Sequence, residues 1–341
     1  MKKRPTLNSQ WLKIVDENDF GTTATLETLQ QRARIIQRVR QYFDSRDFLE
    51  VETPLLSHDI VVDRYLEPIA IEPSAVGLGG ETDQSFWLQT SPEFGMKRIL
   101  ASGATAIYQI AKAFRGGEVG QRHNPEFTML EWYRCGDDQQ TGIDFLGQFV
   151  SAILDTAPHS ALSYRQAFER YAQLDPFTAP ISDFAAAAQE RECDVSALAG
   201  VEDIDAWRNL VLTEVIEPQL GAQSPEIIYD WPASQAALAV TRNEQHPVAE
   251  RFELYYRAIE LANGYHELLD ADELIARNQA VNKQRVCDGQ PPLPENSRLL
   301  SAMQHGLPAC AGVALGIDRL VMLATGNNDI KRVMAFDFDR A

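Results

Sequence analysis

Residues 114 to 134, Phe-Arg-Gly-Gly-Glu-Val-Gly-Gln-Arg-His-Asn-Pro-Glu-Phe-Thr-Met-Leu-Glu-Trp-Tyr-Arg, bring cations and carboxylates together at spacings that could do chemistry. Arg115, Arg122 and His123 surround Gly116, Gly117, Gly120 and Asn124-Pro125, all of them turn residues. Apolar shoulders on both sides (Ile107, Ile110 and Phe114; Phe127, Met129, Leu130 and Trp132) predict a strand, a tight basic loop and a returning strand. Alternation then places Phe127, Met129, Glu131 and Tyr133 on one face. Cations at such a tip and carboxylates along its body could hold a phosphate and an ammonium together. On pattern alone, an ordinary hairpin with a solvated loop fits equally well.

Two further stretches carry chemistry. Glu253 and Glu260 could both reach one site only if a bulge or turn separates them, because seven residues is out of phase for an unbroken strand. Paired carboxylates beside a polyphosphate suit Mg²⁺, which takes hard oxygen ligands from protein, phosphate and water. Two solvated glutamates are the plainer alternative. Gly312 to Leu323 predicts a glycine-bounded strand entering a helix, with Asp318 and Arg319 at the helix start. There they could equally be a cap and a solvated cation.

The positioning elements are legible in outline. Leu29, Ala33, Ile36, Val39 and Phe43 recur at helical spacing, and the strand Phe48 to Thr53 ends at Pro54. A glycine-rich turn (Gly77, Gly79, Gly80) precedes a strand over Phe86 to Thr90 and a helix beginning near Pro92. Residues 140 to 225 are Ala-rich with helical period and read as a helical insertion. Tyr229 to Gln235 return to strand and turn, and 252 to 259 favour a strand. Asn263-Gly264 reads as a turn, and 270 to 300 as a polar helix with a Pro-rich connection.

The 341 residues suffice for one large domain or two smaller ones. Lys and Arg number 31 against 49 Asp and Glu, a net charge of −18, which disfavours nucleic acid as the main partner. Cys135, Cys193, Cys287 and Cys310 are too dispersed for a CxxC site and read as reduced thiols. No apolar leader follows the N-terminal Met-Lys-Lys-Arg and no run approaches a membrane span, so a cytoplasmic protein without membrane contact is expected. Residues 1 to 24 read as a loose lead-in.

Residues 114 to 134 resemble motif 2 of the class II lysyl-tRNA synthetases. They are more similar still to the truncated paralogues of those enzymes, which join a lysine-type amino acid to translation elongation factor P. The resemblance runs from about residue 27 to the C-terminus. The helix, strand and Pro54 resemble motif 1, and Gly312 to Arg319 resemble motif 3. It implies an α+β fold, a mostly antiparallel sheet flanked by helices, in a homodimer that uses motif 1. Residues 25 to 341 would form this single catalytic domain, interrupted at about 140 to 225. Only about 25 residues precede motif 1, against roughly 100 for the anticodon-binding barrel of the full-length synthetases, so no tRNA partner is expected.

The implied reaction is adenylation of lysine or β-lysine by ATP with Mg²⁺, then transfer to elongation factor P. By resemblance, Arg115 and Arg319 are catalytic, and Glu253 and Glu260 bind the metal. ATP would be held by Arg115, Gly116, Gly117, Glu118, Asn124, Phe127, Glu260, Leu261, Gly316 and Arg319. The amino acid would meet Ser91, Pro92, Glu93, Glu131, Tyr133, Asn263, Glu267 and Ala314. There are two departures. The usual Arg-x-Glu of motif 2 is Arg115-Gly116-Gly117-Glu118 here. Ala314 stands where lysyl-tRNA synthetases have glycine, and its methyl takes volume beside the amino-acid backbone. A displaced amino group, as in β-lysine, suits that change.

Overall fold

Residues 20–79 and 85–341 are described by the computed structural model; most of the expected lead-in, and Gly80, lie outside them. The first periodic stretch forms α1 (Leu26–Asp44), opened by Thr25, whose hydroxyl accepts from the Thr28 amide. Its buried stripe is Ile35, Val39, Tyr42 and Phe43, while Ala33, expected inside, is exposed. The neighbouring Arg32 turns inward instead, donating to Asp318 at 2.6 Å.

Short strands β1 (Leu49–Glu50), β2 (Leu56–Ser57), β3 (Ile69–Ile71) and β4 (Phe86–Leu88) lead to α2 (Glu93–Ala101). The expected hairpin is β5 (Ala106–Phe114) and β6 (Glu126–Cys135). After it come α3 (Gln139–Leu154), β7 (Ser160–Ser163), α4 (Tyr164–Tyr171), α5 (Ile181–Gln189) and α6 (Ile204–Val211). Then β8 (Glu226–Pro232), β9 (Thr241–Arg242), β10 (Val248–Tyr256) and β11 (Ile259–His266) precede α7 (Ala271–Cys287) and α8 (Arg298–Gly306). The chain closes with β12 (Cys310–Gly316) and α9 (Ile317–Thr325).

The main sheet runs β1-β5-β6-β12-β11-β10-β8-β7, with β9 on β10; β2-β4-β3 form a small second sheet. Only β1/β5 and β7/β8 are parallel among the described pairs. The fold is therefore α+β, a mostly antiparallel sheet flanked by helices. No described helix is long and apolar enough to cross a membrane.

Register explains how the sheet makes a site. Gln109, Glu131, Ala314, Asn263 and Glu253 lie side by side across β5, β6, β12, β11 and β10. Their neighbours Leu130, Leu315, Ala262 and Leu254 form the adjoining row on the opposite face, as the pleat requires. That apolar row buries against α1, α3 and α9 with Phe43, Trp132, Phe145 and Phe149. Each such side chain contributes about 1.5–3 kcal/mol on leaving water, which leaves the other face free to be polar.

Two local readings, the turn at Asn263-Gly264 and the strand over 252 to 259, differ from the structure. Asn263 and Gly264 lie inside β11, not in a turn. A Cβ on Gly264 would sit 2.4 Å from the Phe252 ring, so the glycine answers cross-strand packing. The turn falls at Arg257 and Ala258, both with positive φ, and a bulge follows Leu254. Bulge and turn together bring Glu253 and Glu260 to one side.

The segment 140 to 225 is mostly helical, yet it does not behave as one body. α3 packs in the main core through Leu146, Phe149 and Val150. β7 extends the sheet beside β8. From Tyr164 onward, α4, α5 and α6 enclose a second core with Ile228 and Trp231.

Candidate functional site

The tip of the β5–β6 hairpin is shaped by backbone. The Arg115 amide donates to Pro125 O at 2.9 Å, closing the loop, and the Gly116 amide donates to Glu67 O at 2.7 Å. A Cβ on Gly116 would come within 3.2 Å of that carbonyl, and Gly117 has φ +77°. The extra glycine is thus spent on a close approach and a left-handed step. Glu118 returns to the cavity, its carboxylate 3.9 Å from Arg115. Glu67 is itself anchored by the fully buried Arg285.

Arg115 packs its guanidinium 5.0 Å from the centroid of Phe127, and its Nε is buried without a partner. Asn124 spends its side chain on the turn: its amide donates to Glu126 O at 2.6 Å, and its oxygen accepts from the Phe338 amide. A Cβ on Gly316, before α9, would meet the Arg319 side chain at 3.8 Å, an ordinary contact distance. Leu261 lines the same wall.

Arg319, from the first turn of α9, donates to Glu260 O at 2.9 Å and approaches the Glu260 carboxylate at 3.5 Å. Its Nη2 meets His123 Nε2 at 2.7 Å. A guanidinium can only donate, so that nitrogen accepts and the imidazole is neutral. Burial, then the charge of Arg319, lowers the His123 pKa in the same direction.

Glu253 is buried between Arg251 and Tyr255. Burial raises its pKa, Arg251 opposes that, and Glu260 raises it further. Glu217, after α6, joins this corner through the Tyr255 hydroxyl at 3.5 Å. Burial pushes its carboxyl up to about 8, with Glu253 and Glu260 adding to the shift. No three described His, Cys, Asp or Glu converge as a metal site. Glu253 and Glu260 nevertheless fit a cation that takes its remaining ligands from phosphate and water, because mutual repulsion among these carboxylates is what a cation relieves.

A carboxyl whose folded pKa lies above its unfolded value holds its proton more tightly in the fold. Its ionisation therefore costs stability as pH rises from about 4.5 toward about 8. Glu217→Gln is expected to raise the melting temperature of the nucleotide-free protein at pH 8 and change it little at pH 5. Equal shifts at both pH values in a thermal melt would refute this origin.

The far end of the cavity is a buried polar cluster. Tyr133 donates to Glu131 Oε1 at 2.6 Å. Lys97, one turn after Glu93 on α2, donates to Glu93 Oε1 at 2.6 Å and lies 2.5 Å from Glu267 Oε2. The Lys97–Glu267 contact is an ion pair, buried on both sides. Glu131 Oε2 and Asn263 Oδ1 are buried and unpartnered. Burial raises the Glu131 pKa well above the ordinary carboxylate value, and Glu93 adds to it. Burial likewise pushes Glu267 up to about 8, against the pull of Lys97. Gly312 makes the cluster possible, since a Cβ there would strike Tyr133 at 2.2 Å and Glu267 Oε1 at 2.3 Å.

A single cavity of about 910 Å³ joins the two ends. Arg115, Glu118, Asn124, Phe127, Leu261, Glu260, Gly316 and Arg319 line one part; Ser91, Glu93, Glu131, Tyr133, Asn263, Glu267 and Ala314 line the other, with Glu253 between. Pro92, Gly116 and Gly117 shape backbone and do not line it. Sequence reasoning missed Lys97, Arg251 and Glu217. Lys97 left one trace: a lysine four residues after Glu93 among the apolar positions of α2.

The model of the family "tRNA synthetases class II (D, K and N)" matches residues 15–340. The elongation factor P–(R)-β-lysine ligase of Mannheimia succiniciproducens is 45% identical over 330 residues, 96% of this chain and 100% of that protein. Its namesake from Pasteurella multocida is 43% identical over 331 residues, with the same shares. The one from Salmonella paratyphi B is 44% identical over 320 residues, 94% of this chain and 97% of that protein. The chain belongs to the class II (D, K and N) tRNA synthetase family, and over nearly its whole length it is similar to proteins named elongation factor P–(R)-β-lysine ligase.

Proposed function

We propose that this protein is an ATP-dependent ligase that adenylates a lysine-type amino acid, (R)-β-lysine by preference, and transfers it to a lysine side chain of elongation factor P. The observation that carries the reading is the pairing of unmet needs in one cavity. Arg115 Nε lacks an acceptor at the hairpin tip, while Glu131 Oε2 and Asn263 Oδ1 lack donors at the far end. An ammonium has three N–H donors, and a carboxylate or phosphate answers a guanidinium. Phe127 and Glu131 are four residues apart on β6, about 13 Å, which is room for an extended lysine plus its activating phosphate.

In the first step a carboxylate oxygen of the amino acid attacks the α-phosphorus of ATP. The bond from that phosphorus to the bridging oxygen breaks, and pyrophosphate leaves with the electron pair. Arg115 orients the carboxylate and the α-phosphate as a two-pronged donor. Arg319 exchanges its contact with Glu260 for the γ-phosphate. Phe127 and Leu261 flank the base, with Asn124, Gly116, Gly117 and Glu118 shaping the loop around it. Glu253 and Glu260 would hold Mg²⁺, which supplies charge neutralisation on the phosphates. Ser91 and Glu93, on the backbone set by Pro92, receive the amino group; Glu131, Tyr133, Asn263 and Glu267 receive the side-chain ammonium. In the second step the neutral acceptor amine attacks the acyl carbon, the bond from that carbon to the phosphate oxygen breaks, AMP departs with the electron pair, and the amine's proton passes to solvent. Fixed donors and acceptors do the work, and no nucleophilic side chain is needed.

The net charge of −18 supports a protein acceptor over tRNA, and the exposed Leu49 on the edge strand β1 suits a homodimer contact. A cytoplasmic location accords with the reduced cysteines. The decisive experiment is ATP–pyrophosphate exchange with α-lysine, β-lysine or no amino acid, without RNA, followed by acyl transfer to elongation factor P. Lysine-dependent exchange is expected; exchange with none of these substrates overturns the reading.

Ala314 lies between Glu131 and Asn263 in the polar row, so its methyl enters the space through which the amino acid runs. Ala314→Gly is expected to shift the ratio of kcat/KM for α-lysine over β-lysine upward by about tenfold, the effect of one methyl in a close-fitting site. An unchanged ratio removes the steric explanation.

A further inference from the structure

The amino-acid end of the cavity holds three buried carboxylates, Glu93, Glu131 and Glu267, which are 9%, 1% and 1% exposed. Behind them lies a cation of the protein's own, Lys97, 1% exposed, in contact with two of them. Three carboxylates against one ammonium leave two formal negative charges. A diamino acid such as lysine or β-lysine brings two ammonium groups. We propose that Lys97 is a positioning residue: a resident counter-ion that occupies one cation place, fixes Glu93 and Glu267 from behind, and leaves the pocket with room for two substrate ammonium groups. This rests on the reading of the cavity as a diamino-acid site.

The geometry separates the roles. Lys97 reaches Glu93 and Glu267, but Glu131 Oε2 remains unpartnered although nearly all of the residue is buried. A buried carboxyl oxygen without a partner is costly, so that oxygen is held open for something that arrives. Burial works against the charge on Lys97, yet Glu267 and Glu93 outweigh it and its pKa is raised, so it stays an ammonium throughout. Its place on α2, one helical turn from Glu93, means that the same helix supplies the substrate contact and the charge behind it.

The test is Lys97→Ala, which removes three carbons and the ammonium and so leaves the shape of propylamine. The variant is expected to melt lower than wild type and to raise the KM for lysine about 100-fold, as loss of a charged hydrogen-bond partner does, with a smaller change in kcat. Added propylammonium is expected to raise its melting temperature and lower the lysine KM; tetramethylammonium, with equal charge and no N–H donor, is not. Wild type should show neither effect. A wild-type KM in Lys97→Ala, or indifference of both melting temperature and KM to propylammonium, overturns the counter-ion role. Absence of lysine-dependent exchange in wild type would instead count against the diamino-acid reading. The thermal response of Lys97→Ala to propylammonium stays readable without any activity, and so tells the two failures apart.

Discussion

Arg115→Lys is expected to lower lysine-dependent ATP–pyrophosphate exchange by about 10²–10³-fold, the loss seen when one preorganised donor to a developing charge is removed. Lysine keeps the positive charge but not the planar fork, so a large effect would identify geometry as the contribution. Arg115 is held from behind by Phe127 and contacts Glu118 only at 3.9 Å, leaving Nε buried and free. Its removal breaks no strong ion pair, so the melting temperature should stay within about 2 °C of wild type, as for a surface pair worth under 1 kcal/mol. Most of the loss should fall on kcat, because the charge Arg115 meets grows as the α-phosphorus is attacked. Exchange within tenfold of wild type would move the α-phosphate contact elsewhere, with Arg122 and Arg319, two of the other arginines lining the cavity, the next to test.

Much of this site was legible because its logic is local. A glycine-rich loop between alternating strands could be read from residues 114 to 134, and the seven-residue spacing of Glu253 and Glu260 required the bulge and turn that the structure places there. The α+β arrangement followed from three motifs that resembled one family. Lys97 was not legible, since a lysine on a nine-residue helix says nothing about burial until β6 and β11 bring Glu267 and Tyr133 over it. Gly264 misled for a related reason: Asn-Gly is a turn signal, but here Phe252 across the sheet requires the missing side chain. Arg32 and Ala33 exchanged their expected faces because Asp318, almost 300 residues away, offers a buried carboxylate to a cation. Local pattern specifies strands and turns, whereas charge burial is decided by distant partners.

Glu131→Gln should separate function from stability. The substitution keeps the acceptor for the Tyr133 hydroxyl but removes the charge that an ammonium needs, so kcat/KM for lysine is expected to fall by about 100-fold or more. The empty protein should gain. Burial, with Glu93 adding to it, holds the Glu131 pKa well above 4.5, so the fold binds its proton more tightly than the unfolded chain does. Stability contributed by the protonated form is then present at low pH and declines as pH rises above about 4.5 toward the folded pKa. Glutamine, which has no proton to lose, should melt higher than wild type at pH 8 and nearly equally at pH 5. An arriving ammonium favours the ionised form, so lysine binding by wild type releases protons and its KM falls as pH rises through the titration of Glu131 and of Glu267, itself pushed up to about 8. In Glu131→Gln that pH dependence should flatten to what Glu267 alone provides. A variant that binds lysine normally, or that melts lower than wild type at pH 8, would show that Glu131 is a structural acid with its proton in place throughout. The opposite pair of results would mark it as a buried charge kept at a cost to the empty fold, whose return comes only when the substrate ammonium enters.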